Sequence, residues 1–304
     1  MNPVVFSLHG HEDLSRVIAE RLNGEVGTLT LRRFPDGESY VRLETSVEAR
    51  PVILVCSMND PDAKILQLYF TGVAVHELGA KTVGLVAPYL TYMRQDKRFQ
   101  PGEAVTSSSF AHLLSGFLDW LVTVAPHLHR HSSLAELYSM PSTVVPAAPM
   151  VSRWIRSNVE SPILIGPDEE SAQWVSEVAR DAGVPYTVLR KIRKADRDVE
   201  VSVPDVDAWR NHTPVMVDDI ISTGRTMIET LGHLSRAEMK PAVCIGVHAV
   251  FAGNAYAELL ATGAARVVTC NTIFHRSNAI DVGEAIAAAT EAHISRQPDR
   301  ESVR

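Results

Sequence analysis

Two stretches of this 304-residue chain follow one plan, and that plan restricts the fold more than any other feature of the sequence. Residues 51 to 88 hold an apolar run at Ile53-Leu54-Val55, a long helical pattern from about Ala63 to Leu78, and a second apolar run from Thr82 to Val86. Residues 214 to 249 repeat the plan at similar length, from Val215 through a helix with Met227, Ile228, Leu231 and Leu234 to Val243-Cys244-Ile245-Gly246-Val247. An apolar strand, a crossover helix and a second apolar strand form a βαβ unit, with parallel strands buried on both faces. The expected fold is therefore two related α/β halves with mainly parallel sheets flanked by helices, and ligands at the carboxyl ends of strands. A Pro- and Ala-containing stretch, Thr143 to Pro149, marks the boundary, which gives expected domains of 1–147 and 148–304.

Composition narrows the class of ligand. At 45% hydrophobic residues the chain has material for a sizeable core, and a net charge of -7 argues against a general nucleic-acid binder. Cys56, Cys244 and Cys270 are isolated in sequence, so neither a disulfide framework nor a structural zinc site is expected. No run approaches 18 uninterrupted apolar residues, and no charged n-region precedes an apolar stretch at the start. These features lead us to expect a cytoplasmic protein with small-molecule partners, binding neither nucleic acid nor membrane.

The second repeat carries the chemistry. Val215-Met216-Val217 runs into Asp218 and Asp219, and Ser222-Thr223-Gly224-Arg225-Thr226 then opens a helix. Backbone N–H groups at a helix start attract an anion, the hydroxyls of Ser222, Thr223 and Thr226 add donors, and Gly224 permits close approach. Asp218 and Asp219 repel phosphate and instead need a cation or sugar hydroxyls. A phosphate beside vicinal hydroxyls, as in ribose 5-phosphate, satisfies both halves of the loop. The plainer alternative is a pair of strand-end carboxylates capping a helix. The corresponding stretch of the first repeat, Cys56-Ser57-Met58-Asn59-Asp60-Pro61, has neither the acid pair nor the Thr-Gly.

Val217-Asp218-Asp219 with Ser222-Thr223-Gly224-Arg225-Thr226 resembles the PRPP-binding loop of type I phosphoribosyltransferase-fold proteins. Among these the chain is most similar, over nearly its whole length, to the ribose-phosphate pyrophosphokinase (PRPP synthetase) family, in its compact archaeal-like type. The resemblance implies transfer of the diphosphoryl group of MgATP to O1 of ribose 5-phosphate, giving PRPP and AMP for nucleotide, histidine and tryptophan biosynthesis. It assigns Asp218, Asp219, Ser222, Thr223, Gly224, Arg225 and Thr226 to the sugar phosphate. It also implies a homo-oligomer, dimer or hexamer, and a last helix that returns to the first domain.

Other segments take roles from the same resemblance. Phe34-Pro35-Asp36-Gly37-Glu38 reads by itself as a hairpin around an Asp-Gly turn. It resembles the family's ATP-contacting segment, placing Phe34, Asp36, Gly37 and Glu38 in a nucleotide site completed across a subunit boundary. Arg94-Gln95-Asp96-Lys97 and the following Pro101-Gly102-Glu103-Ala104-Val105-Thr106 read as a solvated loop on composition. They resemble the family's ATP loop, which assigns Arg94 and Gln95 to ATP. His127, His129 and His131 alternate after an apolar strand, at spacings that complete no zinc signature. The family has Asp-x-His here, so His127 becomes a Mg²⁺ ligand while Ala125 stands where the family has its acid. Asp168, ending the run Pro162 to Asp168, matches the family's ribose and second-metal acid, with Glu169-Glu170 beside it in place of small residues. The charge run Arg190-Lys191-Ile192-Arg193-Lys194 reads alone as a solvated face, but matches the family's catalytic loop, making Lys191 and Arg193 the catalytic cations. Two alternatives stay open, the first on Ala125, Ser222 in place of the usual Asp, Arg225 in place of a small residue and the extra acids, the second on the loop alone, which leaves the ATP segments without a task. These are a weak or inactive regulatory paralogue and a transferase that consumes PRPP.

Overall fold

The computed structural model describes residues 2–128, 130–166, 171–193, 199–202 and 206–296. The first half runs β1 (Val4–Ser7), α1 (Glu12–Arg21), β2 (Glu25–Val26), β3 (Leu29–Arg33), β4 (Ser39–Leu43), β5 (Pro51–Val55), α2 (Pro61–Glu77), β6 (Thr82–Ala87), α3 (Thr106–Ser115), β7 (Trp120–Val124) and β8 (Ser142–Val145). The second runs α4 (Ala148–Asn158), β9 (Pro162–Gly166), α5 (Ala172–Ala182), β10 (Tyr186–Val188), β11 (Arg190–Arg193), β12 (Val199–Ser202), β13 (Thr213–Ile221), α6 (Arg225–Arg236), β14 (Val243–Ala249), α7 (Ala255–Ala261), β15 (Arg266–Cys270), β16 (Asn278–Ile280) and α8 (Gly283–Arg296).

Each half builds a six-stranded sheet, ordered β2-β1-β5-β6-β7-β8 in one and β10-β9-β13-β14-β15-β16 in the other. Every pairing within these two sheets is parallel. Numbered within its own sheet, each order is 2-1-3-4-5-6. The direction of winding thus reverses between β1 and β5, and again between β9 and β13. In open α/β sheets such a reversal opens a crevice at the carboxyl ends of the strands, where ligands bind. Burial matches the expectation for sheets covered on both faces: all of β6 and all of β14 are buried.

The two halves also share an insertion. Between the second and third sheet strands lies an antiparallel hairpin, β3–β4 in one half and β11–β12 in the other. Arg33 pairs with Ser39 before a five-residue connection, residues 34 to 38, and Arg193 pairs with Val199 before one of equal length, residues 194 to 198.

The compact units do not divide the chain at a single point. One comprises the residues up to Val145 together with α8, and the other is Pro146–Val282. Arg21 of α1 pairs with Glu291 of α8 at 2.9 Å, and Thr143 Oγ1 of β8 is hydrogen-bonded to His293 Nε2 of α8 at 2.8 Å. Trp120 of β7 stacks on the His293 ring, with centroids 5.1 Å apart and planes 8° from parallel. Gly84 of β6 makes room for that indole, since a Cβ there would fall 1.9 Å from it. In the second unit the comparable place is taken by α4, where Ser152 Oγ donates to the Val178 carbonyl of α5 at 2.9 Å. Each unit is therefore covered by the helix that follows the other half's sixth strand.

Candidate active site

Strand β13 carries the acid pair through its final turns of pleat and ends three residues beyond Asp218. Asp218 lies opposite Gly246 of β14, whose missing Cβ leaves room for Ile221, 2.6 Å from where that atom would be. Both carboxylates are half-buried; Asp218 accepts the Asp219 N–H at 3.0 Å, and Asp219 accepts the Ile220 N–H at 2.8 Å. Gly224 takes a left-handed φ of 66° just before α6, a conformation glycine adopts without the Cβ penalty. Helix α6 then presents the amides of its first turn, which have no intrahelical acceptor. Ser222 and Thr226 are half-buried around the turn, while Thr223 and Arg225 are exposed. The segment after β14 braces it: Phe251 N donates to the Ile221 carbonyl at 2.8 Å and Ala252 N to that of Ser222 at 3.1 Å. The acid pair and the glycine turn thus stand at the carboxyl end of β13, beside the β9/β13 reversal, with the first-turn amides of α6 following the turn. Asp168 and Glu169-Glu170 lie outside the described residues.

The backbone of β11 sets Lys191 opposite Val201 and Arg193 opposite Val199, two alternate positions of one strand. Alternate strand positions share a face.

In the first unit, β3–β4 has two unlike faces. Leu29, Leu31 and Leu43 pack against the core. The opposite face carries Arg32 paired with Tyr40 and Thr30 paired with Arg42, and Phe34 continues it. The connection is tied by Phe34 N to the Glu38 carbonyl at 2.8 Å and by Gly37 N, with φ of 96°, to the Phe34 carbonyl at 2.9 Å. Asp36 accepts the Glu38 N–H at 3.2 Å, so its carboxylate shapes the turn. The Phe34 and Tyr40 rings meet at 89° with centroids 5.8 Å apart, and Arg32 Cζ stands 4.5 Å from the first and 4.1 Å from the second. Exposed contacts of this kind contribute about 0.5–1 kcal/mol each.

Arg94 is exposed and Gln95 half-buried in the segment after β6, where the Gln95 carbonyl accepts Ser107 N of α3 at 3.3 Å. Two anchors hold this segment, and neither has a local sequence signal. The Tyr92 hydroxyl donates to Asp62 of α2, and that bond, followed by burial, pushes the phenol up to about 12. Asp96, its side chain 7% exposed, accepts from Arg130 Nε at 3.2 Å across 34 residues. This ion pair joins the Arg94-Gln95 segment to the one holding half-buried His127. The proline-glycine end closes on Glu103, which accepts the N–H of Phe99 at 2.7 Å and of Gln100 at 2.9 Å. Among the described residues, no hydrogen bond or ring contact joins residues 34 to 38 to Arg94 or Gln95.

Ala125 has φ of 35°, an uncommon conformation for a residue with a Cβ, and its N–H donates to the Val145 carbonyl at 3.0 Å. Among the described residues, no group of three or more His, Cys, Asp or Glu side chains is arranged to hold a metal. Burial pushes the thiols of Cys56, Cys244 and Cys270 up to about 12, which removes them as nucleophiles at neutral pH. No helix among the described residues is long and apolar enough to cross a membrane.

Two parallel sheets of order 2-1-3-4-5-6, with an acid pair ahead of a Ser-Thr-Gly turn in the second, define a protein of phosphoribosyltransferase type. The model of the N-terminal domain of ribose phosphate pyrophosphokinase matches residues 3–117, and that of the phosphoribosyl transferase domain matches residues 136–284. The ribose-phosphate pyrophosphokinase of Methanopyrus kandleri is 34% identical over 281 residues, covering 91% of this chain and 95% of that protein. That of Methanothermobacter thermautotrophicus is 30% identical over 285 residues, covering 93% and 98%. The chain belongs to the ribose-phosphate pyrophosphokinase family. Its fold matches the crystal structure of phosphoribosylpyrophosphate synthetase from Mycobacterium smegmatis with a TM-score of 0.85, at 24% identity over 98% of this chain and 100% of that one.

Proposed function

We propose that this protein transfers the β,γ-diphosphoryl group of ATP to O1 of ribose 5-phosphate, releasing AMP, as a homo-oligomeric cytoplasmic enzyme. The observation that carries the reading is the asymmetry of the duplicated loops. Only the second unit keeps the acid pair and the hydroxyl-glycine turn, so each chain has one sugar-phosphate cradle. The first unit offers an aromatic and cationic hairpin face and the anchored Arg94-Gln95 segment, which suit a nucleotide. A transferase that consumes PRPP would use the cradle and leave these features without a task.

In this reading Asp218 and Asp219 hold the ribose hydroxyls, Asp168 joins them by the family resemblance, and residues 222 to 226 receive the 5-phosphate. Phe34 stacks on the base, Glu38 accepts from it or from its ribose, and Arg94 and Gln95 bind the triphosphate and nucleoside. Lys191 and Arg193 meet the charge that builds during transfer. Magnesium ion bound with ATP neutralises the phosphate oxygens. The donor set suits an ion that arrives with its nucleotide, because Mg²⁺ favours phosphate and water oxygens supplemented by one or two carboxylates; His127 and Asp168 would supplement them. The hairpin face bearing Arg32 and Phe34 is turned from its own unit's core, which favours a site shared with a second copy. Leu66, Tyr69 and Phe70 of α2, 57%, 37% and 42% exposed, give such a copy an apolar surface.

Incubation of the purified protein with MgATP and ribose 5-phosphate is expected to yield AMP and PRPP in equal amounts. AMP formation independent of ribose 5-phosphate, or none at all, would reject the assignment. The absence of a carboxylate at Ala125 favours, as a second reading, a weak paralogue, and it makes a separate prediction. Ala125→Asp is expected to lower, several-fold, the free Mg²⁺ needed for half-maximal rate at saturating ATP. It should also raise Tm slightly, since Asp visits the left-handed region more readily than Ala. A Mg²⁺ titration identical to that of the parent protein would show that another group already serves the metal.

A further inference from the structure

The outward face of the first hairpin sets two residues, Arg32 and Tyr40, against Phe34, and the assigned nucleotide contacts use neither. Arg32 stands in the right angle between two rings, 4.5 Å from the Phe34 centroid and 4.1 Å from that of Tyr40. Register explains how it gets there: Arg32 and Tyr40 are directly paired across the hairpin, and Phe34 follows two residues after Arg32, at the point where the strand gives way to the turn. Two rings from one face therefore converge on a single guanidinium. Among the described residues no ion pair to a carboxylate is formed by Arg32, and its guanidinium meets the two rings.

An exposed phenylalanine beside a turn is a poor platform when left alone. Phe34 is 39% exposed, and a ring free to rotate about χ1 loses that freedom when a base stacks on it. A guanidinium over one face restrains the ring and leaves the other face open. Arginine suits this task because its plane stacks on aromatic faces and is weakly hydrated, whereas a lysine ammonium is a strongly hydrated point charge. Tyr40 completes the corner: its ring meets that of Phe34 edge-on at 89° and holds the guanidinium from the second side.

From this geometry we infer that Arg32 is a positioning residue for the nucleotide base, acting through Phe34 without touching the nucleotide. The inference rests on the reading of Phe34 as the base platform. It gives Tyr40 the supporting role, and it places Arg32 in ground-state binding rather than in the transfer step.

A double-mutant cycle measures whether two residues act through one another. Arg32→Met is expected to raise KM for ATP about two- to fivefold, the range of an exposed cation–π contact, with kcat within about twofold of the parent. Arg32→Lys should recover only part of the loss, and Tyr40→Leu should give a smaller rise than Arg32→Met. In a Phe34→Leu background, Arg32→Met should add no further change in KM, because the ring through which it acts is gone. Equal fold-increases in both backgrounds would overturn the inference, because Arg32 would then contact the nucleotide independently. An unchanged KM in Arg32→Met, with Phe34→Leu impaired, would overturn it while leaving the platform reading in place. An unchanged KM in Phe34→Leu itself would overturn both. Thermal unfolding of each variant shows whether the hairpin remains folded, and a Tm drop in Arg32→Met that parallels its KM change would assign Arg32 a merely structural role and overturn the inference.

Discussion

Lys191→Ala and Arg193→Ala are each expected to lower kcat by about 10²–10³ while leaving KM for ribose 5-phosphate nearly unchanged, the size of effect seen when one preorganised donor to a developing charge is removed. The two residues occupy alternate positions of β11, immediately before the five-residue connection of their hairpin. In the proposed role these cations stabilise charge that is greatest in the transition state, so the loss should appear in kcat. The double variant tests whether they act as a unit. If they do, it should be scarcely worse than either single variant; independent contributions would multiply. Initial rates of AMP release at saturating MgATP measure all three, and unchanged kcat in both single variants would remove these residues from catalysis.

A second large effect is expected from mixing two inactive proteins. Glu38→Ala should be inactive because its nucleotide contact is lost, and Lys191→Ala because its transfer step is lost. Within β3–β4 the leucine face packs inward and the Arg32, Phe34 and Tyr40 face is the opposite one, so under the proposed role the hairpin would serve a nucleotide held elsewhere than on its own unit's core. If that nucleotide belongs to a second copy, a mixed pair has one site with Lys191 and Glu38 both intact. Dissociation and reassembly of an equal mixture should then restore about a quarter of the parental rate for a two-fold dimer formed at random. Labelled subunits confirm co-assembly by size-exclusion chromatography. Mixed oligomers that remain inactive would confine each site to one chain.

The sequence makes some of this architecture visible and hides the rest for physical reasons. The sugar-phosphate cradle is contiguous, from Asp218 to Thr226, so its acids, hydroxyls and glycine can be read together. The first hairpin announces itself through Asp36-Gly37. Strands buried on both faces, such as Thr82–Ala87, stand out as unbroken apolar runs. By contrast β2, the two exposed residues Glu25–Val26, is too short to show any period. Likewise, β10 and the short helix α7 lack the length over which periodicity speaks. The Asp96–Arg130 ion pair and the Tyr92–Asp62 hydrogen bond join residues 34 and 30 apart, and nothing local in the sequence marks them. Equivalence of the two hairpins is hidden because the residue types differ: Leu31 and Arg33 of β3 stand where β11 has Lys191 and Arg193, counted back from connections of equal length. Only register reveals that correspondence.

The helix that completes the first unit has a consequence for how the chain is made. Pro146–Val282 is continuous, so everything it needs has been synthesised once Val282 emerges. The unit begun at the amino terminus is in a different position: Trp120, Thr143 and Arg21 wait for partners on α8, the last helix of the described chain. Domains commonly fold in the order in which they leave the ribosome. Here the order of completion is reversed: of the two units, the one whose synthesis begins first is completed last, once α8 has followed Val282.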